Sequence, residues 1–180
     1  MGDSVTAGQH VPAEQAWPQL LTGCDVAARG VSGDTTRRML ERFPTDVQEL
    51  APDVVLLQAG HNDCNRWETD QGLPRVSLDA YVANVREMIA RCRTFGAEPV
   101  WFTAVPSLRP ARYEADLERY NRHAVAAARE EGAYVVGVRH AFTAALDSLL
   151  LPDGLHLNAH GHVLYAKVAQ AHLDRALVAA

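Results

Sequence analysis

Ser4 follows Gly2 and Asp3 at the start of the chain, and Asp153 and His156 stand three apart near its end. A serine hydroxyl is a weak nucleophile until an imidazole within hydrogen-bond reach takes its proton. That imidazole needs an acceptor on its other nitrogen, which fixes its tautomer. Asp153 and His156, in a loop that also bears Pro152 and Gly154, can form this second pair without long-range assembly. Acyl transfer further needs donors for the negative oxygen of a tetrahedral intermediate. The backbone N–H groups of Ser4 and Gly33 and the side-chain amide of Asn62 would supply three. Glycine suits such a position because its backbone can approach a ligand closely. If these residues meet, they describe ester cleavage by a serine nucleophile.

Meeting requires elements that carry all of them to one edge. Asp53–Gly60 is a short apolar run ending in glycine, suited to a strand buried on both faces, and Glu98–Val105 and Ala133–Val138 look similar. Asp25–Gly30 is a weaker candidate. Between them Leu78, Tyr81, Val85, Met88, Ile89 and Cys92 recur at helical steps, with Ser77 as N-cap and Gly96 just past the end. A second stripe runs through Tyr113, Leu117, Tyr120, Ala124 and Ala128 to Gly132, and Leu164, Val168 and Ala171 mark a last helix. Strands alternating with such helices predict βαβ units and a parallel sheet between helical layers. In that architecture a site lies beyond the carboxyl ends of the strands. The polar islands Ser32-Gly33-Asp34-Thr35, Gly60-His61-Asn62-Asp63 and Asp153-Gly154-Leu155-His156 all follow a strand or precede a helix.

Gly2-Asp3-Ser4, Gly33, Asn62 and Asp153-x-x-His156 resemble the four ordered blocks of the SGNH hydrolases, the GDSL esterase/lipase family. Each block alone recurs by chance; four in order, from Gly2 to His162, make a specific signal. The resemblance implies a flavodoxin-like α/β/α sandwich with a parallel sheet of about five strands, in one domain over 1–180. It implies Ser4 as nucleophile, His156 as base and later acid, Asp153 as orienting acid, and an oxyanion hole from the Ser4 amide, Gly33 and Asn62. It implies no metal and no cofactor. His61 within the third block resembles some carbohydrate acetylesterases of the family, which points to small acyl groups on polar molecules. Lysophospholipase, thioesterase and acyltransferase chemistry use the same machinery.

Two departures accompany the resemblance. In the family an apolar first strand leads into the Gly-Asp-Ser turn, and here nothing precedes Met1. The expectation is two bare strand edges, a poorly anchored nucleophile, and a Met1 internal to a longer natural chain. Leu157 stands where the family often has Pro, a change expected to be tolerated.

Other readings compete for the same residues. Ser4 alone would pass for a helix N-cap, Asn62 and Asp63 for turn formers, and the set for a non-catalytic pocket binding sugar or lipid. His156, His160 and His162 beside Asp153 resemble metal ligands, without an HExxH helix to support them. His61 is expected at the mouth of the site, in reach of substrate. Trp67, in the aperiodic stretch Asn65–Arg75, is a candidate to stack on substrate from a lid-like loop, with packing on its own loop as the alternative. Pro106–Arg112 is a second candidate wall. Cys64 follows the third block, where a reactive thiol is conceivable, but buried thiols are the expectation for Cys24, Cys64 and Cys92.

The 180 residues are 48% hydrophobic and 22% charged, with a net charge of -5, a globular composition with no basic stripe for nucleic acid. No apolar run approaches the roughly 18–20 residues of a membrane span, and no secretory signal opens the chain. The expectations are a cytoplasmic protein and a small-molecule ester substrate, with no reading of oligomeric state.

Overall fold

The computed structural model describes the chain from Met1 to Ala179, with side chains as far as Leu173. Three parallel strands run in the order β1 (Val54–Gln58), β2 (Glu98–Phe102) and β3 (Tyr134–Val136). Each lies within one of the apolar runs. Alternate residues of β2 feed opposite faces: Trp101 packs into one core with Met39, Phe43, Val85, Met88 and Leu117, while Val100 and Phe102 pack into the other with Trp17, Phe142 and Tyr165. A strand covered on both faces needs side chains that are apolar in both directions, which is why these runs lack polar alternation.

The helices are α1 (Ser4–Ala7), α2 (Thr36–Asp46), α3 (His61–Cys64), α4 (Leu78–Thr94), α5 (Ala111–Glu130), α6 (Val138–Phe142), α7 (Leu146–Leu149) and α8 (Ala159–Ala179). α2, α4 and α5 enclose the first core, and α6, α7 and α8 enclose the second, giving three layers. α4 begins where the Ser77 side chain accepts from the Ala80 N–H, and the chain turns at Gly96 with φ +79°. α5 buries Leu117, Tyr120, Ala124 and Ala128, the face its sequence period marks out. Among the described residues no helix is long and apolar enough to cross a membrane.

Two further rows extend the sheet beyond β1. The Met1 amine donates to the Leu56 carbonyl at 2.6 Å and the Gln58 N–H to the Met1 carbonyl at 3.2 Å. Gly2 forms a parallel bridge with Gly30. The rows therefore follow the order of a flavodoxin-like sheet, with Met1–Gly2 between the backbone around Gly30 and β1. The Asp25–Gly30 candidate contributes this bridge alone and is otherwise irregular. Upstream of Gly2 in that row, a trough of about 710 Å³ opens between Asp25–Arg29 and Asp53–Leu56.

The expected loss of anchorage at Ser4 does not occur. The Arg42 guanidinium donates to the carbonyls of Gly2 and Arg29, each at 3.1 Å, and pairs with buried Asp34 at 2.6 Å. Gly30 passes so close beneath α1 that a methyl group there would lie 2.2 Å from the Ala7 nitrogen. The turn at Ser4 is thus held from below by Gly30 and from the side by Arg42, which flank the second block.

Candidate active site

Asp3 ends the short Met1–Gly2 row and caps α1, its Oδ1 accepting from the Val5 N–H at 2.9 Å. Ser4 is thus the first residue of the helix and not its cap. The Asp3 carboxyl is fully buried, and burial pushes it up to about 7 against the opposing bonds from Val5 and Gln58. Gln58 donates to it at 3.4 Å and accepts from Thr6, so the acid is tied to the end of β1.

The loop between α7 and α8 carries the other half. Asp153 Oδ1 accepts from the N–H groups of Leu155 and His156, at 2.9 and 3.0 Å, which folds the loop around its carboxylate. Its Oδ2 lies 2.5 Å from His156 Nδ1, and His156 Nε2 lies 3.1 Å from Ser4 Oγ. Burial works against the Asp153 charge, but the bonds from His156 and the two backbone N–H groups prevail and hold it down at about 2. An ionised carboxylate only accepts, so Nδ1 carries the proton, which in the neutral imidazole leaves the Nε2 lone pair for Ser4. Serine, imidazole and carboxylate form one continuous chain across 152 positions of sequence.

Gly33 and Asn62 end the rows on either side of Ser4. Gly33 occupies a turn at φ +81° with open space where a side chain would begin. It sits beyond the Gly2–Gly30 bridge, in a turn closed by the Asp34 N–H on the Val31 carbonyl. Asn62 lies in the first turn of α3, just past the end of β1. The two flanking blocks are joined directly, because Asp63 Oδ1 accepts from both the N–H and the hydroxyl of Thr36, at 2.9 and 2.6 Å. Burial raises the Asp63 carboxyl to about 6 in spite of those bonds. The third block is helical, not the open turn its residue types suggest.

Several candidates stand elsewhere than expected. His61 is buried, not at the mouth: Tyr113 donates its hydroxyl to the His61 carbonyl at 3.0 Å, and the same oxygen lies 3.1 Å from His61 Nδ1. Burial lowers this imidazole to about 4, so it is neutral at physiological pH. Trp67 is half exposed, with the Arg75 guanidinium 4.4 Å from its ring centre, so it packs on its own loop. That loop is drawn shut by an antiparallel bridge between Arg66 and Pro74. Leu108 of the second wall packs against the Asp153–His156 loop, its N–H donating to the Gly154 carbonyl at 2.8 Å. Cys64 is buried and burial pushes its thiol far above the usual range, which overturns a reactive role. Cys92 is likewise a buried thiol.

The histidine cluster divides. His162 is buried on α8, where its Nδ1 accepts from the Trp17 N–H at 3.3 Å and burial lowers it to about 4. His160 is exposed at the start of the same helix. His10, which nothing in the sequence singles out, sets its ring edge-on to His156 with centres 5.0 Å apart. Its backbone is left-handed at φ +73°. His10, Asp153 and His156 each offer a ligand atom within 4.8 Å of the others, the one grouping of that kind among the described residues. Two of its members are already engaged with each other, so the donor set competes with the hydrogen-bonded chain.

A profile of the GDSL-like lipase/acylhydrolase family matches residues 1–164. Among curated proteins, an arylesterase of Vibrio mimicus is 34% identical over 108 residues, covering 56% of this chain and 50% of that one. Thioesterase 1/protease 1/lysophospholipase L1 of Escherichia coli is 32% identical over 102 residues, 52% of this chain and 49% of that one. The matched stretch thus spans about half the length of these two relatives. An acetylxylan esterase of Geobacillus stearothermophilus is 26% identical over 165 residues, with 86% of this chain and 73% of the other covered. The solved structure of an alpha/beta hydrolase enzyme from the metagenome of Lake Arreo aligns with a TM-score of 0.81 at 24% identity, covering 94% of this chain and 91% of that one.

Proposed function

The chain belongs to the GDSL-like lipase/acylhydrolase family, and on that premise we propose that it hydrolyses carboxylic esters through an acyl group on Ser4. The observation that carries the reading is the unbroken line from Asp153 through His156 to Ser4 Oγ, at 2.5 and 3.1 Å. In the first half-reaction His156 Nε2 takes the Ser4 proton as Oγ bonds to the ester carbon. The tetrahedral oxyanion accepts from the N–H groups of Ser4 and Gly33 and from the Asn62 amide. As the carbon–oxygen bond to the alcohol breaks, His156 returns the proton to the leaving oxygen. In the second half water repeats the steps, with His156 taking its proton and Ser4 Oγ leaving. Asp153, held ionised, stabilises the imidazolium in both halves.

The preferred substrates are short acyl groups on polar alcohols. Support comes from the similarity to a protein named as an acetylxylan esterase over most of both chains, and from His61 preceding Asn62. The test is labelling by a fluorophosphonate probe and turnover of p-nitrophenyl acetate, each beside Ser4→Ala. Wild type should label and turn over while the variant does neither. Equal turnover by the two would end the hydrolase reading. A series of acyl chain lengths and acetylated sugars then tests the substrate class, and a rising rate with chain length would overturn it.

A further inference from the structure

The Asn62 side chain has two nearly isosteric ends, and only one suits an oxyanion. Turned over, the amide would aim a lone pair at the developing negative charge and oppose the reaction it should assist. Something must hold it one way round. Arg75 Nη1 lies 3.2 Å from Asn62 Oδ1. A guanidinium has donors and no acceptor, so it can meet only the oxygen of an amide. Among the described residues nothing accepts from Asn62 Nδ2, so that end is left to donate elsewhere.

Arg75 is itself fixed. Its guanidinium carbon lies 4.4 Å from the centre of the Trp67 ring, within the range of a cation–π contact. Its backbone N–H donates to the Asn65 carbonyl at 3.0 Å, and the next N–H, of Val76, donates to the Asp63 carbonyl at 3.1 Å. With the Arg66–Pro74 bridge these bonds clasp the segment around Arg75 against the end of α3. The intervening turn through Glu68–Asp70 carries Trp67 under the guanidinium. The stretch without periodicity thus returns one cation to the amide of the third block.

We infer that Arg75 is a positioning residue that orients and polarises the Asn62 amide so that Nδ2 faces the oxyanion, with Trp67 as its support. This rests on the acyl-serine reading above. A charged donor on Oδ1 draws electron density through the amide and makes the Nδ2 hydrogens better donors. The guanidinium need not touch the substrate for this, and its effect should be carried wholly by Asn62.

A double-mutant cycle on p-nitrophenyl acetate tests this. Asn62→Ala should lose roughly 10²–10³ in kcat, as oxyanion donors typically do. Arg75→Met keeps the apolar stem on Trp67 and removes the donor. It should lose roughly 10- to 100-fold in kcat with little change in KM, the range for a hydrogen bond to a charged group. In the Asn62→Ala background the same change should cost less than about twofold, because its route to the reaction is gone. Arg75→Lys, which keeps charge and a donor, should recover part of the loss. Circular dichroism and melting curves on each variant separate positioning from misfolding, and Trp67→Leu gives a milder loss should Arg75→Met not fold. Equal losses from Arg75→Met in both backgrounds, or a change confined to KM, would overturn the inference and leave the acyl-serine reading standing. Full activity in Asn62→Ala would instead bring down the oxyanion assignment, and the inference with it.

Discussion

Asp3 connects the turn at Ser4 to the stability of the whole protein through a single proton. Its carboxyl is buried and raised from 3.8 to about 7, first by desolvation. Between those values the folded protein holds a proton that the unfolded chain has released, so stability falls as pH rises through the window. At 1.36 kcal/mol per unit the full effect is about 4 kcal/mol. Of this about 3 kcal/mol lies between pH 4.5 and 7.5 by the same linkage. Asp3→Asn is the isosteric probe. Its Oδ1 can still cap Val5, and the Gln58 amide can turn over, with the Thr6 hydroxyl changing from donor to acceptor. The variant never ionises and should lack this term. Urea unfolding followed by tryptophan fluorescence, at pH 4.5 and 7.5, gives the difference between variant and wild type. That difference should move toward the variant by about 3 kcal/mol on going to the higher pH. Subtraction removes the terms of His61 and His162, which both proteins share. A difference independent of pH would show that the carboxyl is not raised. A shift toward wild type would show that Val5 and Gln58 hold the charge more firmly than burial opposes it.

Gly30→Ala should disturb α1, because the new methyl would meet the backbone of Thr6 and Ala7 at 2.2 to 2.7 Å. An overpacking cost of roughly 1–3 kcal/mol and a fall in kcat are expected. Gly23→Ala, at φ +76° in open space, should cost about 1–2 kcal/mol and leave kcat alone, as melting curves and initial rates will show. Asp153→Asn should lose roughly 10³–10⁴ in kcat by favouring the wrong imidazole tautomer; a loss under tenfold would mean another acceptor orients His156. EDTA treatment should leave the rate unchanged, whereas inactivation reversed by added zinc would assign His10, Asp153 and His156 to a metal.

The parts of the fold set by short-range pattern could be read from the residues alone. Strands covered on both faces show as apolar runs, and α4 and α5 show as stripes because each packs one face against a core. The pairing of Asp153 with His156 is legible as well, since a local loop builds it. What escaped depends on distant partners. His61 looks exposed in its motif, and Tyr113, from α5, is what locks it inside. Trp67 admits two readings in sequence, substrate platform or packing on its own loop, and Arg75 within that loop occupies its face. Arg75 carries no motif, because its role follows from a bridge between Arg66 and Pro74 that residue types do not announce. The anchorage of Ser4 is hidden in the sequence for the same reason: Arg42, in the middle of α2, reaches the carbonyls of Gly2 and Arg29 beside the turn.

The hydrogen bond between Ser4 and His156 joins positions 152 apart, and α8, which follows His156, fastens back through His162 to Trp17 and through Gln170 to Thr22. Pairings this far apart in sequence are slow to form, because their loop-closure entropy must be met before the contacts offset it. During refolding, helix content should therefore recover before esterase turnover, and the lag between the two would time the docking of the last helix. The same topology makes the protein suitable for a split reporter. Two fragments divided in the exposed turn at Ala144–Ala145 would carry Ser4 and His156 separately, and on the proposed mechanism turnover would appear only on their reunion.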